Sequence, residues 1–355
     1  MNLNEQHQFI VDVCCMTFNH VQYITDAMNG FCMQETNFPF ICTIIDDAST
    51  DGEQEVIKQY LEQHFDLDDE STVRNEVTNE YVLTYARHKK NLNCFFAVLY
   101  LKNNHYSIKK SKMPYIEEWL NNAKYIAYCE GDDFWTYSQK LQKQYDVLEA
   151  HPEYTMSINS VQVVEKDGIT HAWGTIPVKE SFKKDGTLSL EDFCREEYYN
   201  GHWCFHLSSF FIRKEIYDVS NEWRGKQWRN FPYGDMPLLL TCLLNGDAYF
   251  FTKIMGCYRW LSGGYNSSVN SNPQKWIYDN KKLRKALIDF DKYTNKKYHL
   301  YIKKRISIID IGLINRGDKS PLVLLFPRYW TIPFGRKEVP RLIVNYLCGR
   351  TSKTE

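Results

Sequence analysis

Residues 40–52 read FICTIIDDASTDG, and this stretch contains the pattern that decides the fold. An apolar, β-branched run of strand length ends at two adjacent carboxylates, Asp46 and Asp47. Residues 49–52 suit a turn that starts a helix, because the short polar side chains of residues 49–51 can cap free backbone N–H groups. Helical spacing over Glu53–His64 completes a strand, turn and helix unit.

The same alternation occurs elsewhere in the first 150 residues. Apolar runs of strand length lie at Phe9–Met16, Cys94–Tyr100 and Tyr125–Cys129, and helical spacing covers Tyr23–Gln34. Strands that alternate with helices form a mostly parallel sheet flanked by helices, and such sheets bind ligands at the carboxyl ends of their strands. We therefore predict an α/β fold in which three polar segments follow strand ends: Thr17–His20, Asp46–Gly52 and Glu130–Asp133.

The pattern changes twice along the chain. After about Pro152 shorter β-like segments predominate, and from residue 273 the chain becomes helical and basic. The β-like segments are Thr155–Val164, Leu207–Ile212 and Ala248–Phe251, and the later helices are Trp276–Leu287 and Tyr298–Ile314. These changes predict two halves of one domain, about 1–150 and 151–272, followed by a helical extension over 273–355.

Composition excludes several classes of protein. With 355 residues, 43% hydrophobic and 25% charged, the chain is neither disordered nor a coiled coil. The formal charge of −1 conceals an asymmetry, since 19 Lys+Arg and 7 Asp+Glu lie from Lys275 onward, against 24 and 37 before it. A uniformly basic nucleic-acid binder is thereby excluded, and the basic part contains no helix-turn-helix, zinc-finger or RNA-binding motif, so we expect no nucleic-acid partner.

Targeting signals and cysteines indicate the compartment. The longest apolar run is far below the roughly 18–20 residues that span a bilayer, and residues 1–5 lack a secretory signal, which predicts a cytoplasmic protein. The eleven cysteines include no CxxC pair, which argues against a zinc ribbon. We expect them to be reduced and mostly packed in the core.

The acidic clusters suggest specific chemistry. Glu130, Asp132 and Asp133 lie within four residues after a hydrophobic strand, and their charges would repel one another unless a cation lies among them. Mg²⁺ or Mn²⁺ prefers such oxygen ligands together with substrate phosphates. A solvated acidic turn is the alternative. Asp46 and Asp47 could likewise cap a helix or bind a ligand donor, and Asp235, between turn-forming residues, fits a helix N-cap as well as a general base.

Taken in order, these segments resemble a family-2 glycosyltransferase, the inverting nucleotide-sugar enzymes of the Rossmann-like GT-A fold. The resemblance runs from about Ile10 to Ser268. It is carried by CCMTFNH at 14–20, IIDDASTD at 44–51, IAYCEGDDFW at 126–135 and KLQKQ at 140–144. NNHYS at 103–107 and YGDMP at 233–237 resemble bacterial members that build surface polysaccharides. It implies a nucleotide half over about 1–150, an acceptor half over about 151–272, and Mn²⁺ or Mg²⁺ as cofactor.

The resemblance also implies roles for single residues. The nucleotide-sugar would be bordered by Thr17, Phe18 and Asn19, with Asp47 accepting the uracil N3–H and Asp46 close by. Asp132 would contact the ribose, and Asp132 and Asp133 the metal; which of the two ligates it stays open, because Glu130 stands where many members have the first Asp. Asp235 would be the catalytic base, although Met236 replaces a Trp common in relatives, which concerns the acceptor contacts.

Three further residues are candidates. Arg259 precedes the glycine-rich segment 263–268, which the resemblance places over the active site, and could meet the diphosphate. His202 and Trp203 could contact the acceptor or sugar, Trp203 with an indole face, or could pack in the core. Although His202 and His206 are four residues apart, no acidic helix accompanies them, which speaks against a metal pair.

We therefore predict transfer of a sugar from a UDP-sugar to a hydroxyl of a glycan or lipid-linked acceptor. A nucleotidyltransferase would normally carry a glycine-rich basic loop where residues 17–20 read TFNH, and a non-catalytic nucleotide-sugar or glycan-binding protein is the other alternative. The basic extension, with short apolar pieces such as residues 321–326, suits an anionic membrane surface at the inner face. Packing on the catalytic domain is equally compatible with it.

Overall fold

A computed structural model describes residues 9–69, 72–178, 181–224, 230–262, 264, 269, 271–320, 322, 340, 341, 343 and 344. Within these residues thirteen strands form one sheet. They are β1 (Phe9–Thr17), β2 (Phe40–Asp46), β3 (Phe65–Asp66), β4 (Arg74–Val77), β5 (Tyr81–His88), β6 (Cys94–Leu101), β7 (Ala123–Tyr128), β8 (Phe134–Trp135), β9 (Tyr154–Val164), β10 (Thr170–Ile176), β11 (Gly186–Leu188), β12 (Phe211–Arg213) and β13 (Asp247–Arg259).

Four of the helices lie where the apolar spacing predicts them, at about residues 23–34, 53–64, 276–287 and 298–314. The α-helices of the described residues are α1 (Ile24–Cys32), α2 (Glu53–His64), α3 (Glu117–Leu120), α4 (Lys140–Ala150), α5 (Leu190–Phe193), α6 (Lys214–Arg224), α7 (Asp235–Asn245), α8 (Pro273–Tyr293) and α9 (His299–Asn315). Short 3₁₀ turns cover Met113–Tyr115 and Leu207–Ser209, and a π-helical turn covers Cys194–Asn200.

The sheet has a parallel centre bordered by antiparallel strands, and β9 and β13 form a further parallel pair on one side. Its strand order is β11-β13-β9-β12-β7-β1-β2-β6-β5-β3, with β4, β8 and β10 paired alongside. Strands β7, β1, β2 and β6 run parallel, so that Val13 of β1 lies opposite Cys42 of β2 and Ala127 of β7. Strands β12 and β5 join the two sides of this centre antiparallel. The predicted α/β fold, a mostly parallel sheet flanked by helices, is confirmed.

The central strands are buried, which explains their unbroken apolar runs. Phe31 of α1 contacts the ring of Phe96 of β6, with centroids 6.3 Å apart, and belongs to the same core cluster as Ile57 of α2. Burying each such side chain stabilises the fold by about 1.5–3 kcal/mol. The cysteines of the described residues are buried except Cys32, which is partly exposed, as expected of small core side chains.

One hairpin was not predicted, and one predicted strand was wrong in part. No strand was predicted between residues 65 and 93, yet β4 and β5 form an antiparallel hairpin there, with charged residues such as Arg74 interrupting the apolar pattern. The predicted strand Leu207–Ile212 divides into a 3₁₀ turn, Leu207–Ser209, and the short strand β12. The side chain of His206 accepts from the N–H of Ser208 at the start of this turn, which favours the turn over extension.

The chain divides into two compact units. The first consists of residues 1–189, 204–220 and 239–260 and contains the sheet; the second consists of 190–203, 221–238 and 261–355. The boundary at 272/273 stays a prediction. No helix in the described part of the chain has the length and apolar composition needed to cross a membrane.

The second unit has its own polar contacts. The buried carboxylate of Asp310 on α9 pairs with Arg284 of α8 and with Lys319, and Tyr301 of α9 donates to Glu191 at 3.0 Å. Some of the basic residues of the extension therefore serve internal packing. The apolar segment 321–326 lies, except for Leu322, outside the described residues, so the membrane hypothesis stays a prediction.

Strand β1 carries a fully buried acid, Asp12, whose ionisation is expected to affect stability. Thr43 donates to Asp12 Oδ1 at 2.7 Å, whereas Oδ2 has no hydrogen-bond partner among the described residues. Burial raises the pKa of Asp12 from 3.8 to about 7. Because the folded state binds this proton more tightly, stability from Asp12 falls as pH rises from about 4 to 7 and is constant above. We expect wild type to lose about 2–3 kcal/mol more than Asp12→Asn between pH 5 and 8.

Urea unfolding at the two pH values measures this difference. Asparagine is isosteric with aspartate and cannot ionise, so it isolates the contribution of this one carboxyl. An equal pH dependence in both proteins would show that Asp12 keeps its charge state on folding.

Candidate functional site

The loops that follow β1, β2 and β7 lie side by side at the carboxyl edge of the sheet. Asp47 N–H donates to Thr17 O at 3.0 Å, and Gly131 N–H donates to Met16 O at 3.0 Å. A Cβ at Gly131 would overlap Thr17 Oγ1, so the acidic turn 130–133 packs directly on the end of β1. The three polar segments singled out in the sequence are thus brought together in the first unit.

A buried glutamate, Glu53, joins two of these loops. At the start of α2 its carboxylate accepts from Thr17 Oγ1, from His20 N–H at 2.9 Å and from Ser49 Oγ at 2.8 Å. Burial raises the pKa of Glu53 despite these donors. Sequence reasoning missed this residue; the available signal was a glutamate at the first helical position after a polar turn.

The predicted nucleotide-binding segment has a fixed backbone. Asn19 adopts a left-handed conformation with φ of 58°, and its Oδ1 accepts from Thr50 N–H at 2.8 Å. Asn19 N–H donates to Ser49 Oγ at 2.9 Å. Phe18, which lies between Thr17 and Asn19, is 41% exposed, and its ring is therefore available for a ligand.

The adjacent carboxylates Asp46 and Asp47 are both buried but differ in their partners. Asp47 accepts from His105 N–H at 2.7 Å, Tyr106 N–H at 3.1 Å and Lys112 Nζ at 2.9 Å. Burial opposes ionisation of Asp47, yet the hydrogen bonds from these donors outweigh it and lower its pKa. A carboxylate accepts about four hydrogen bonds, so roughly one acceptor position remains.

Asp46 ends β2 and faces the start of α2. Its Oδ1 accepts from Ser49 N–H at 3.0 Å and from Gln54, which is a helix-start role. Its Oδ2 is buried and has no hydrogen-bond partner among the described residues. One oxygen of Asp46 is therefore committed to the fold and the other is not.

The acidic turn 130–133 contains the strongest concentration of charge. Asp133 is fully buried; its Oδ2 accepts from Ser208 Oγ and lies 3.4 Å from His206 Nδ1, and its Oδ1 accepts from Arg259 N–H at 3.0 Å. Burial, with the charges of Asp132 and Glu130, raises the pKa of Asp133 well above its usual range. A cation bound among these carboxylates would favour the ionised form of Asp133.

Three side chains of the first unit could share one metal ion. One ligand atom each of Glu130, Asp133 and His206 lies within 4.8 Å of the others. Burial lowers the pKa of His206 to about 3, which keeps the imidazole in the neutral form that ligates metals. Asp132 stands outside this group, with Oδ2 3.7 Å from His20 Nε2. His206 is a candidate ligand that sequence reasoning set aside, since its acidic neighbours come from a turn that is distant in sequence.

Arg259, at the end of β13, holds the acidic turn in place. Its Nη1 donates to Asp132 O at 2.7 Å and its Nη2 donates to Asp26, and it lies 4.6 Å from the Phe134 ring centroid. The side chain is 5% exposed. These contacts make Arg259 a structural support of the turn, and its predicted contact with a diphosphate stays a prediction. Of segment 263–268, all but Gly264 lies outside the described residues.

An aromatic row extends from the metal-ligand candidate to the surface of the first unit. His206 stacks on Tyr258 with centroids 4.1 Å apart, Tyr258 lies 6.3 Å from Trp260, and Trp260 lies 4.4 Å from Trp173. Trp173 is 47% exposed. An indole surface beside an acidic site can stack on the C–H face of a sugar ring.

The remaining predicted residues belong to the second unit. Asp235 begins α7, accepts from Met236 N–H at 2.7 Å and has its pKa raised by burial. His202 pairs with Glu196 at 2.9 Å, in a segment without regular structure, and Trp203 follows it. Asp235 thus lies at the start of α7, and both its capping role and its role as a base stay predictions.

A separate cleft of about 920 Å³ lies elsewhere in the first unit. It is lined by parts of residues 32–37 and 88–91 with Gln142 and Asp146, and it contains no residue predicted to bind substrate. The chemistry described above therefore lies outside this cleft.

Sequence comparisons find relatives for part of the chain. No family model matches the chain. Uncharacterized proteins of Mycobacterium tuberculosis and Mycobacterium bovis are each 29% identical over 158 residues, which is 44% of this chain and 37% of the relative. The chain thus spans well under half the length of these curated relatives.

The fold comparison rests on one solved structure with a TM-score above 0.5, and a second similar structure lies below that value. TarS of S. aureus in complex with UDP-GlcNAc gives a TM-score of 0.52 at 14% identity, over 98% of this chain and 94% of that chain. A mannosyltransferase of Pyrobaculum calidifontis, in complex with GDP-Man and Mn²⁺, gives 0.47 at 13% identity, over 98% and 89%. The chain therefore has the α/β fold of TarS, with acidic and polar side chains gathered at the carboxyl edge of its sheet.

Proposed function

We propose that this chain is an inverting glycosyltransferase that moves a sugar from a UDP-sugar to a hydroxyl of a glycan or lipid-linked acceptor, assisted by Mn²⁺ or Mg²⁺. The observation that carries the proposal is the group Glu130, Asp133 and His206 at the carboxyl edge of the sheet. It lies beside the polar loops that follow β1 and β2, in a fold shared with a structure that binds UDP-GlcNAc.

The donor side of the proposal uses the first unit. Thr17, Phe18 and Asn19 would border the nucleotide, and Asp47 would use its remaining acceptor position for the uracil N3–H. Asp132, which lies at the surface side of the acidic turn, would contact the ribose or join Asp133 at the metal. The mixed set of carboxylate oxygens and one imidazole nitrogen suits Mn²⁺ better than Mg²⁺.

The chemistry would be a single displacement. A metal ion bound here would offset the charge that develops on the leaving diphosphate. Asp235 would take the proton of the acceptor hydroxyl as its oxygen forms a bond to the anomeric carbon. The bond from that carbon to the diphosphate oxygen breaks on the opposite face, which inverts the anomeric configuration without a covalent intermediate.

The acceptor side has support from aromatic side chains. Trp173 presents an exposed indole in the aromatic row that reaches His206, and Trp203 and His202 are the acceptor candidates predicted from sequence. The family resemblance supports a surface polysaccharide, made at the inner membrane face, as the product.

Calorimetry with a panel of UDP-glucose, UDP-galactose and their N-acetyl forms tests the proposal, each titrated with and without MnCl₂. We expect one of these donors to bind best, more tightly with the ion, and release of UDP to require the ion. GDP-mannose is the control for recognition of the nucleobase, since it carries guanine in place of uracil. Binding of none of the UDP-sugars would overturn the proposal, and UDP binding without turnover of any donor would favour the non-catalytic alternative.

A further inference from the structure

Helix α4 contains a buried lysine that the proposed reaction does not use. Lys140 is fully buried, and no carboxylate of the described residues forms an ion pair with it. Its Nζ donates to Gln144 Oε1 at 2.5 Å and lies 4.5 Å from the Trp135 ring centroid. Burial lowers the pKa of Lys140 to about 7, and the amine can donate in either protonation state. A polar group this costly to bury needs a reason to be there.

The partners of Lys140 both hold the turn Leu207–Ser209. Gln144 Nε2 donates to Ser209 O at 3.1 Å and to Ser157 O at 3.4 Å. Trp135 Nε1 donates to Ser208 O at 3.0 Å. Because Nζ of Lys140 requires the oxygen of the Gln144 amide, the amide nitrogen is directed at these carbonyls. Without the lysine the amide could rotate by half a turn.

The held turn carries two groups that meet the acidic site. Ser208 Oγ donates to Asp133 Oδ2, and His206 Nδ1 lies 3.4 Å from the same oxygen. Ser209 Oγ donates to His206 O at 2.7 Å, which ties the histidine to the turn. A displacement of the turn would therefore move His206 and Ser208 relative to Asp133.

We propose that Lys140 and Gln144 are positioning residues for the metal-binding group, acting through Trp135 and the turn Leu207–Ser209. This inference rests on the proposed function, because it assigns the group Glu130, Asp133 and His206 to a metal ion. Lys140 fixes the orientation of the Gln144 amide, and the amide fixes the distance between His206 and Asp133.

A calorimetric titration of the full chain with MnCl₂, in the absence of any nucleotide, tests this inference. Gln144→Glu keeps an acceptor for Lys140 but loses both N–H donors to the Ser209 and Ser157 carbonyls. We expect its Mn²⁺ affinity to fall by about 10-fold to 100-fold, as is typical when outer partners of metal ligands are lost. The Mn²⁺ affinity of Lys140→Met is expected to fall by a similar factor. That of Lys140→Arg is expected to fall by less, because arginine can still donate a hydrogen bond.

Lys143→Met is the matched control, because Lys143 is exposed on the same helix. Its Mn²⁺ affinity is expected to equal that of the wild type. Lower melting temperatures in Gln144→Glu with unchanged Mn²⁺ affinity would mean that the network serves stability alone and would overturn the inference. Failure of the wild type to bind Mn²⁺ would overturn the proposed metal together with it, so the two failures are distinguishable.

Discussion

Asp133→Asn is expected to weaken Mn²⁺ binding by about 100-fold or more and to lower kcat by about 10²–10³-fold. Asp133 is the fully buried member of the proposed metal-binding group, and the variant lacks the carboxylate that a bound cation would hold ionised. The asparagine oxygen can still accept from Ser208 Oγ or Arg259 N–H, so the melting temperature without the ion is expected to stay within a few degrees of wild type. Calorimetry with MnCl₂ and the rate of UDP release measure the two effects.

Asp132→Asn is the matched control, since it makes the same chemical change one residue away. Asp132 lies outside the group and faces His20 at 3.7 Å, so its loss should raise the KM for the donor more than it weakens Mn²⁺ binding. The pair of variants also answers which aspartate ligates the ion, a question that the sequence leaves open. Loss of the ion in Asp132→Asn with retention in Asp133→Asn would contradict the assignment made from the geometry.

The central strands and the helices between them could be predicted because local sequence patterns specify them. A strand such as β2, buried on both faces, reads as an unbroken apolar run, and α2 begins at the turn that the polar residues mark. The hairpin of β4 and β5 could not be predicted in this way. Its residues are mostly half-exposed, and their pairing is set by contacts across strands rather than by local spacing.

The candidate site shows the same division. Asp46, Asp47 and the acidic turn could be predicted because each follows a strand, and parallel strands bring their carboxyl ends to one edge. His206 could not be predicted as a site residue, because the carboxylate beside it belongs to Asp133, which is distant in sequence. In the sequence, Lys140 and Gln144 look like ordinary polar residues of an amphipathic helix. The folded chain shows that Lys140 donates to Gln144 and that Gln144 donates to the Ser209 carbonyl near His206.

The partner contacts of Asp47 show how one prediction can conceal a second role. Its carboxylate fastens residues 105 and 106 and Lys112 to the end of β2, so it would be needed even without a nucleotide. Loss of donor binding in a variant of Asp47 would therefore not by itself identify the uracil contact. Asp235 is a better test of the chemistry, because the hydrogen bond that it accepts within the described part of the chain is local to the start of α7.

Asp235→Asn is expected to lower kcat by about 10²–10⁴-fold while Mn²⁺ and donor affinities stay at wild-type values. Burial raises the pKa of Asp235, which makes the ionised carboxylate a stronger base than an exposed aspartate. Asparagine can still accept from Met236 N–H, so the start of α7 is preserved. The measurements are UDP release with acceptor, its dependence on pH, and calorimetry with donor and MnCl₂.

The pH dependence separates a base from a structural residue. If Asp235 removes the acceptor proton, wild-type kcat falls as pH drops through its pKa, and the residual activity of Asp235→Asn lacks that decline. Glu215→Gln, which neutralises an exposed carboxylate in the first turn of α6, is expected to leave kcat unchanged. Retention of wild-type kcat in Asp235→Asn, or a loss matched by an equal loss of donor affinity, would exclude Asp235 as the base and leave the acceptor proton to another group.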